Sequence, residues 1–126
     1  MNKYGNRKVI IEGVVFDSKR EARRYQELNM LQKAGIISDL KRQVTYELIP
    51  AQREKSTKVY QRGNRKGQPI EGRIIEKAVT YIADFVYTDN ATGMEIVEDA
   101  KGMRTRDYVI KRKLMLYIHG IKIQEV

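Results

Sequence analysis

The run Asp89-Asn90-Ala91-Thr92-Gly93 is dense with turn formers and lies between two β-prone stretches, and nothing else in the chain restricts the fold as strongly. Residues 74–87 before it are rich in β-branched and aromatic side chains, and residues 94–101 after it resume the pattern. Such a pair is expected to close as an antiparallel hairpin. With the turn centred between Ala91 and Thr92, residues equidistant from that centre oppose each other, so Asp84 faces Asp99. Directly opposed residues share a sheet face. Lys101, two residues beyond Asp99, projects from the same face by the two-residue period of a strand, while Glu98 projects from the other.

Two carboxylates held ~5 Å apart repel by about 3 kcal/mol at an effective dielectric of ~20, a large fraction of a small domain's stability. A purely structural sheet gains nothing from that. A divalent cation sharing oxygens from both acids turns the repulsion into binding, and Mg2+ suits the site because it prefers hard oxygen ligands, retains waters and bridges carboxylates to phosphate. For Lys101 the plainer alternative is a salt bridge to Asp99 or Asp84.

Elsewhere, residues 9–11 and 14–16 read as a short hairpin joined at Glu12-Gly13. Ser18 opens a helix that Gly35 stops, with Glu21 three residues on in a capping-box pattern. Its inward stripe is Ala22, Tyr25, Leu28 and Leu31, and Glu21 stands at the end of that stripe. Glu21 is either a cap reaching back to the Ser18 backbone or a third acid directed at the Asp pair, and the roles are compatible. Residues 36–49 alternate well only at their end, where Val44, Tyr46 and Leu48 share a face. Residues 50–73, with Gly63, Gly67, Pro69 and Gly72, read as a long, mobile, cationic loop. Residues 104–119 carry Ile110, Leu114, Tyr117 and Ile118 at the spacing of one helical face, with Gly120 as a stop. His119, the sole histidine, falls at that helix end, where an imidazole more often caps carbonyls than binds metal. Residues 121–126 close as a short strand. This order implies an α/β sandwich with a mixed central sheet flanked by helices.

With 126 residues and 41% hydrophobic content, the chain is sized for one core, read as a single domain over residues 1–126 with a basic loop insertion at about 51–73. No run approaches the ~20 apolar residues that span a bilayer, and residues 1–8 lack the apolar centre of a secretory signal. A soluble, cytoplasmic protein is expected. The absence of cysteine excludes disulfides, thiolate zinc sites and a cysteine nucleophile, and no glycine-rich phosphate loop is present. Twenty-five Lys and Arg against sixteen Asp and Glu leave a formal charge of +9, which favours polyanions as partners. Within residues 51–77, Arg62, Arg65 and Lys66, with Tyr60 available to stack, suit tracking of phosphates without base reading; a merely solvated loop is the alternative. A second cluster, Arg104, Arg106, Lys111, Arg112 and Lys113, opens the last helix near the end of the Asp99 strand and is the better phosphate-binding candidate.

The segment Tyr81-Ile82-Ala83-Asp84-Phe85, followed by Asp99-Ala100-Lys101-Gly102, resembles the PD-(D/E)xK nuclease signature, with Ala83 where proline often stands. Phe16-Asp17-Ser18-Lys19-Arg20-Glu21 resembles the helix-borne glutamate motif of phage junction-resolving endonucleases and of the transposon-end endonuclease. Nearly the whole chain is similar to a group of small phage proteins with this arrangement. The resemblance implies a restriction-endonuclease-like core in which Glu21, Asp84 and Asp99 bind Mg2+ or Mn2+, with the Ala100 backbone carbonyl as a further ligand. Lys101 then orients or activates the attacking water. Gln43 stands where some related nucleases place a polar residue near the site.

The expectation is therefore a metal-dependent DNA endonuclease that hydrolyses phosphodiester bonds, with water as nucleophile and the 3′-oxygen leaving. By analogy, small phage enzymes of this appearance often resolve branched DNA such as Holliday junctions, which implies a homodimer acting in the host cytoplasm. A nicking or end-cutting nuclease of phage recombination or packaging stays open as an alternative. So do a non-catalytic nucleic-acid-binding protein, in which the acids are structural, and an RNA-binding protein.

Overall fold

A computed structural model describes residues 7–126. In chain order the elements are β1 (Val9–Ile11), β2 (Val14–Phe16), α1 (Lys19–Lys33), β3 (Ile37–Ile49), β4 (Gln52–Arg53), β5 (Ile74–Glu76), β6 (Val79–Asp89), β7 (Glu95–Asp99), α2 (Arg106–Leu114), a π-helical segment (Met115–His119) and β8 (Gln124–Glu125).

Local signals place the first elements. β1 and β2 pair about Glu12 and Gly13, whose φ values of 50° and 79° meet the demand of a two-residue hairpin turn for positive φ at both positions. The Ser18 hydroxyl caps α1 by accepting from the Glu21 N–H at 3.1 Å, and Gly35 follows the helix at φ 76°. The inward stripe then buries Leu28 completely against Ile37, Phe85 and Tyr87, with Tyr25, Leu31, Leu40 and Ile96 packed around them. Tyr25 meets the rings of Phe16 and Phe85 at 5.1 and 6.3 Å. At this degree of burial, truncating Leu28 to Ala costs about 2–5 kcal/mol.

The central sheet has the order β3-β6-β7-β8 and is mixed, since β6 and β7 run antiparallel and β7 and β8 parallel. The described residues are thus α/β, with two α-helices among them. The β6–β7 ladder pairs Thr88 with Glu95, Tyr87 with Ile96, Val86 with Val97 and Phe85 with Glu98, each equidistant from the Ala91–Thr92 centre that the turn residues dictate.

Three elements differ from the sequence reading. β3 is a strand over its whole length, not only at its end; Asp39 and Gln43 sit within it at φ 56° and 53°, the irregularity that hides a strand from a search for alternation. Residues 74–87 do not form one strand but break at Lys77-Ala78 into β5 and β6. The last helix buries Tyr108 and Met115, whereas Ile110, Tyr117 and Ile118 are exposed at 57, 88 and 42%. Tyr108 and Met115 are seven residues apart and so share a face, with Tyr108 against the Tyr81 ring at 6.5 Å. The π turns beyond Leu114 widen the helix and shift the phase of that face.

The chain divides into two compact units, one comprising residues up to Tyr46 together with Tyr81–Val126, the other Glu47–Thr80. In the second, β4 pairs antiparallel with β5, Val59 bridges to Pro69, and Tyr60 exchanges backbone hydrogen bonds with Gln68 (3.0 Å) and Gly67 (2.9 Å). Gly72 is needed there, because a Cβ would stand 1.8 Å from the Glu54 carbonyl oxygen. The segment read as a loop therefore carries backbone pairing of its own. Among the described residues no helix is long and apolar enough to cross a membrane.

Candidate active site

Asp84 and Asp99 stand immediately beyond the Phe85–Glu98 pair, where the β6–β7 ladder stops and β7 continues beside β8 through the Asp99–Glu125 pair. Asp84 Oδ2 accepts from the Ala100 N–H at 2.8 Å. Burial first, and the charge of Asp99 second, push the Asp84 carboxyl up to about 7; the Ala100 N–H opposes this, and Glu21 adds to it more weakly. Asp99 is 2% exposed. Its Oδ2 accepts from the Tyr81 hydroxyl at 2.6 Å, and burial together with this bond drives the Tyr81 pKa upward. Its Oδ1 has the Lys101 ammonium at 3.2 Å, within ion-pair range, yet no directed hydrogen bond. Direction decides here, so a buried oxygen keeps an open lone pair. Lys101 Nζ also lies 4.2 Å above the Tyr108 ring, which holds the ammonium over an aromatic face.

Glu21 approaches from the first turn of α1 and is 3% exposed. The N–H half of the capping box forms at Ser18, while the Glu21 carboxylate turns to Gln43 Nε2 at 3.1 Å and Arg42 Nη2 at 3.3 Å. Burial raises its pKa, with Asp17 adding and Arg42 opposing. Gln43 Nε2 also reaches Asp84 Oδ1 at 3.3 Å, so one amide spans two acids. Simple alternation would send Gln43 to the side opposite Arg42 and Val44. Gln43 is exposed, as alternation expects, and its left-handed backbone, which costs about 1–2 kcal/mol for a residue with a Cβ, accompanies the reach of its amide to both acids. Arg42 is clamped with its guanidinium carbon 4.2 Å over the Phe16 ring.

Glu21, Gln43, Asp84, Ala100, Asp99 and Lys101 thus form one connected set. Among the described residues, no three His, Cys, Asp or Glu stand close enough to make a ready cation cage. Glu98 lies outside the set: it is fully buried and bonded to Arg24 and Tyr87. Of the basic cluster on the last helix, Arg104 binds Glu125 Oε1 at 2.9 and 2.7 Å and Arg112 reaches Glu125 Oε2 at 3.4 Å, holding that carboxyl down at about 2. Among the described residues, Arg106, Lys111 and Lys113 carry no ion pair. In the 47–80 unit, Arg62 and Lys66 are exposed, and Arg65 covers the Tyr60 ring at 5.7 Å, so the aromatic face proposed for stacking is occupied from within.

Sequence reasoning missed Arg42, Tyr81 and Arg24. Arg42 shares the inner face of Val44 and Tyr46, which was a usable signal. Tyr81 carried none, because it lies three residues before Asp84 and alternation assigns it to the opposite face.

Comparison with known proteins adds one match. Residues 1–124 fit a family described as a protein of unknown function (DUF1064). No curated protein matches the chain, and no solved structure does.

Proposed function

Because the chain belongs to the DUF1064 family, whose function is unknown, its chemistry has to be read from the site, and we propose a metal-dependent DNA endonuclease built on a PD-(D/E)xK core. The observation that carries this reading is the Asp84–Asp99 pair, two acids brought together beyond the end of a β ladder, one held protonated by burial and by its neighbour's charge and the other buried with an ammonium 3.2 Å from Oδ1.

Carboxylate and carbonyl oxygens are the donor type that Mg2+ or Mn2+ takes, although the three acids are not drawn together into a ready cage. Asp84 and Asp99 would hold the ion, with the Ala100 carbonyl as a neutral oxygen and Glu21 as the third acid beyond the Gln43 amide. When bound, such an ion supplies Lewis acidity at the phosphate and offsets charge in the transition state. Lys101, held by Asp99 and the Tyr108 ring, orients the attacking water. The water oxygen bonds to phosphorus, the bond to the 3′-oxygen breaks, and that oxygen takes up the proton the water releases. Branched DNA is the preferred substrate class in this reading, with two copies of the chain cutting opposed strands.

The test is incubation of the purified protein with a labelled four-way DNA junction, with and without Mg2+. Cleavage is expected only with the ion, and Asp84→Asn and Lys101→Ala abolish it while DNA binding survives. Intact linear, flapped and four-way DNA in the presence of either Mg2+ or Mn2+ overturns the proposal.

One observation favours a second reading, a non-catalytic nucleic-acid-binding protein. Glu21 is already paired with Arg42, and Asp99 with Tyr81 and Lys101, as structural acids are. In that case Asp84→Asn leaves every DNA interaction unchanged and no substrate is cut.

A further inference from the structure

Arg20, Arg23, Arg24 and Glu27 recur at three- and four-residue steps along α1, beside the stripe that carries Glu21, Tyr25 and Leu28. With Val126 they line an open cavity of about 320 Å3. The three guanidiniums are not equivalent. Arg24 is fully engaged, through Nε and Nη2 to Glu98 at 2.8 and 2.7 Å and through Nη1 to Glu27 at 2.9 Å. Glu27 is also the residue one turn beyond Arg23 and its natural helical partner, and Arg24 takes it. Arg20 and Arg23 are left exposed, with neither hydrogen bond nor ion pair among the described residues. The cavity therefore presents two uncompensated guanidiniums beside a third that a buried carboxylate fixes in place.

Arg20 also reaches the segment that carries the candidate chemistry. Its Nε lies 3.8 Å from where a Cβ on Gly102 would stand, and Gly102 directly follows Lys101. A planar guanidinium presents paired donors matched to two oxygens of a phosphate, and two of them side by side can hold one phosphate from two directions.

We propose that Arg20 and Arg23 form a phosphodiester-binding notch that holds the DNA backbone beside the bond being cut. The position relative to the cut rests on the endonuclease reading; the notch itself requires only a DNA backbone. The notch is distinct from the basic stretch of residues 51–77 and from the cluster on the last helix, where Glu125 already engages Arg104 and Arg112.

The test uses the full chain and a labelled four-way DNA in buffer containing a chelator, so that binding is read without cleavage. The double variant Arg20→Ala/Arg23→Ala is expected to lose about tenfold or more in affinity, and the slope of log K against log salt to become shallower by about two, one for each lost phosphate contact. Arg20→Lys/Arg23→Lys retains the slope and loses part of the affinity, since the charge stays and the fork goes. Both side chains are exposed, so the urea midpoint stays unchanged. Unchanged affinity and slope in the alanine variant overturn the notch. With Mg2+ present, a neutral methylphosphonate at the linkage next to the cut slows the wild-type protein and has no further effect in the alanine variant; equal slowing of both overturns its placement. If no DNA is cut at all, the endonuclease reading fails while the salt slope still reports on the notch.

Discussion

Glu98 and Asp99 are neighbours on β7, both buried, and the fold treats them in opposite ways. On the face toward α1, Glu98 meets a complete set of donors: Arg24 binds both oxygens side by side, and the Tyr87 hydroxyl donates to Oε2. The bond to Glu98 in turn raises the Arg24 pKa, and burial followed by the same carboxylate raises that of Tyr87. On the other face Asp99 has one good donor, Tyr81, an ammonium out of hydrogen-bond line, and a second acid, Asp84, whose charge opposes its own. A carboxylate kept for structure is closed off by donors, because a buried unpaired charge is too costly to retain. A pair left open and mutually repulsive is costly in the same way and persists where a ligand completes it.

The contrast can be broken hardest at Glu98. Glu98→Ala leaves the Arg24 guanidinium partly buried without its partner and is expected to cost about 3–5 kcal/mol in urea unfolding, while Glu98→Leu combined with Arg24→Met recovers most of that loss. A cost below about 1 kcal/mol for the single change would show that this ion pair does not hold the face together.

At Asp84 the sign reverses. Asp84→Asn removes the like charge and is expected to stabilise the metal-free protein by about 1–2 kcal/mol while abolishing cleavage. Destabilisation by that substitution would place Asp84 among the structural acids, with Glu98.

The same carboxyl makes the gain depend on pH. Its pKa is about 7 in the fold against an ordinary 3.8, so between those values the folded protein keeps a proton that the unfolded chain has released. Stability from this group is fully present below about pH 4 and is lost as pH rises through 7. In chelator, the advantage of Asp84→Asn over wild type should therefore widen from pH 4 to 7 and level off above it, as followed by thermal melts; a constant gap contradicts the assignment.

The smallest effect is expected at Gln43. Gln43→Gly relieves the left-handed backbone and gains up to about 1 kcal/mol, whereas Gln43→Ala keeps the strain, loses the amide bridge and falls below wild type. Both should slow cleavage, and equal urea midpoints for the two variants would mean that the backbone there is unstrained.

What could be read from the chain alone was whatever a few neighbouring residues decide. Asp89 to Gly93 set the hairpin and its register, which brings Asp84 and Asp99 to adjacent places. Ser18 and Gly35 bounded α1, and the spacing of Tyr25, Leu28 and Leu31 oriented it, because caps, turns and helical period are local properties. The tertiary structure decided the rest. The left-handed backbone at Gln43 interrupts β3 at a point that no alternation marks, and the last helix buries a face through Tyr108 and Met115 in place of the expected one. The partners of each acid, Arg42, Tyr81 and Arg24, come from 21, 18 and 74 residues away. Charge and hydrogen bonding act through space, so which carboxylate is closed off and which is left open is settled only when distant strands meet.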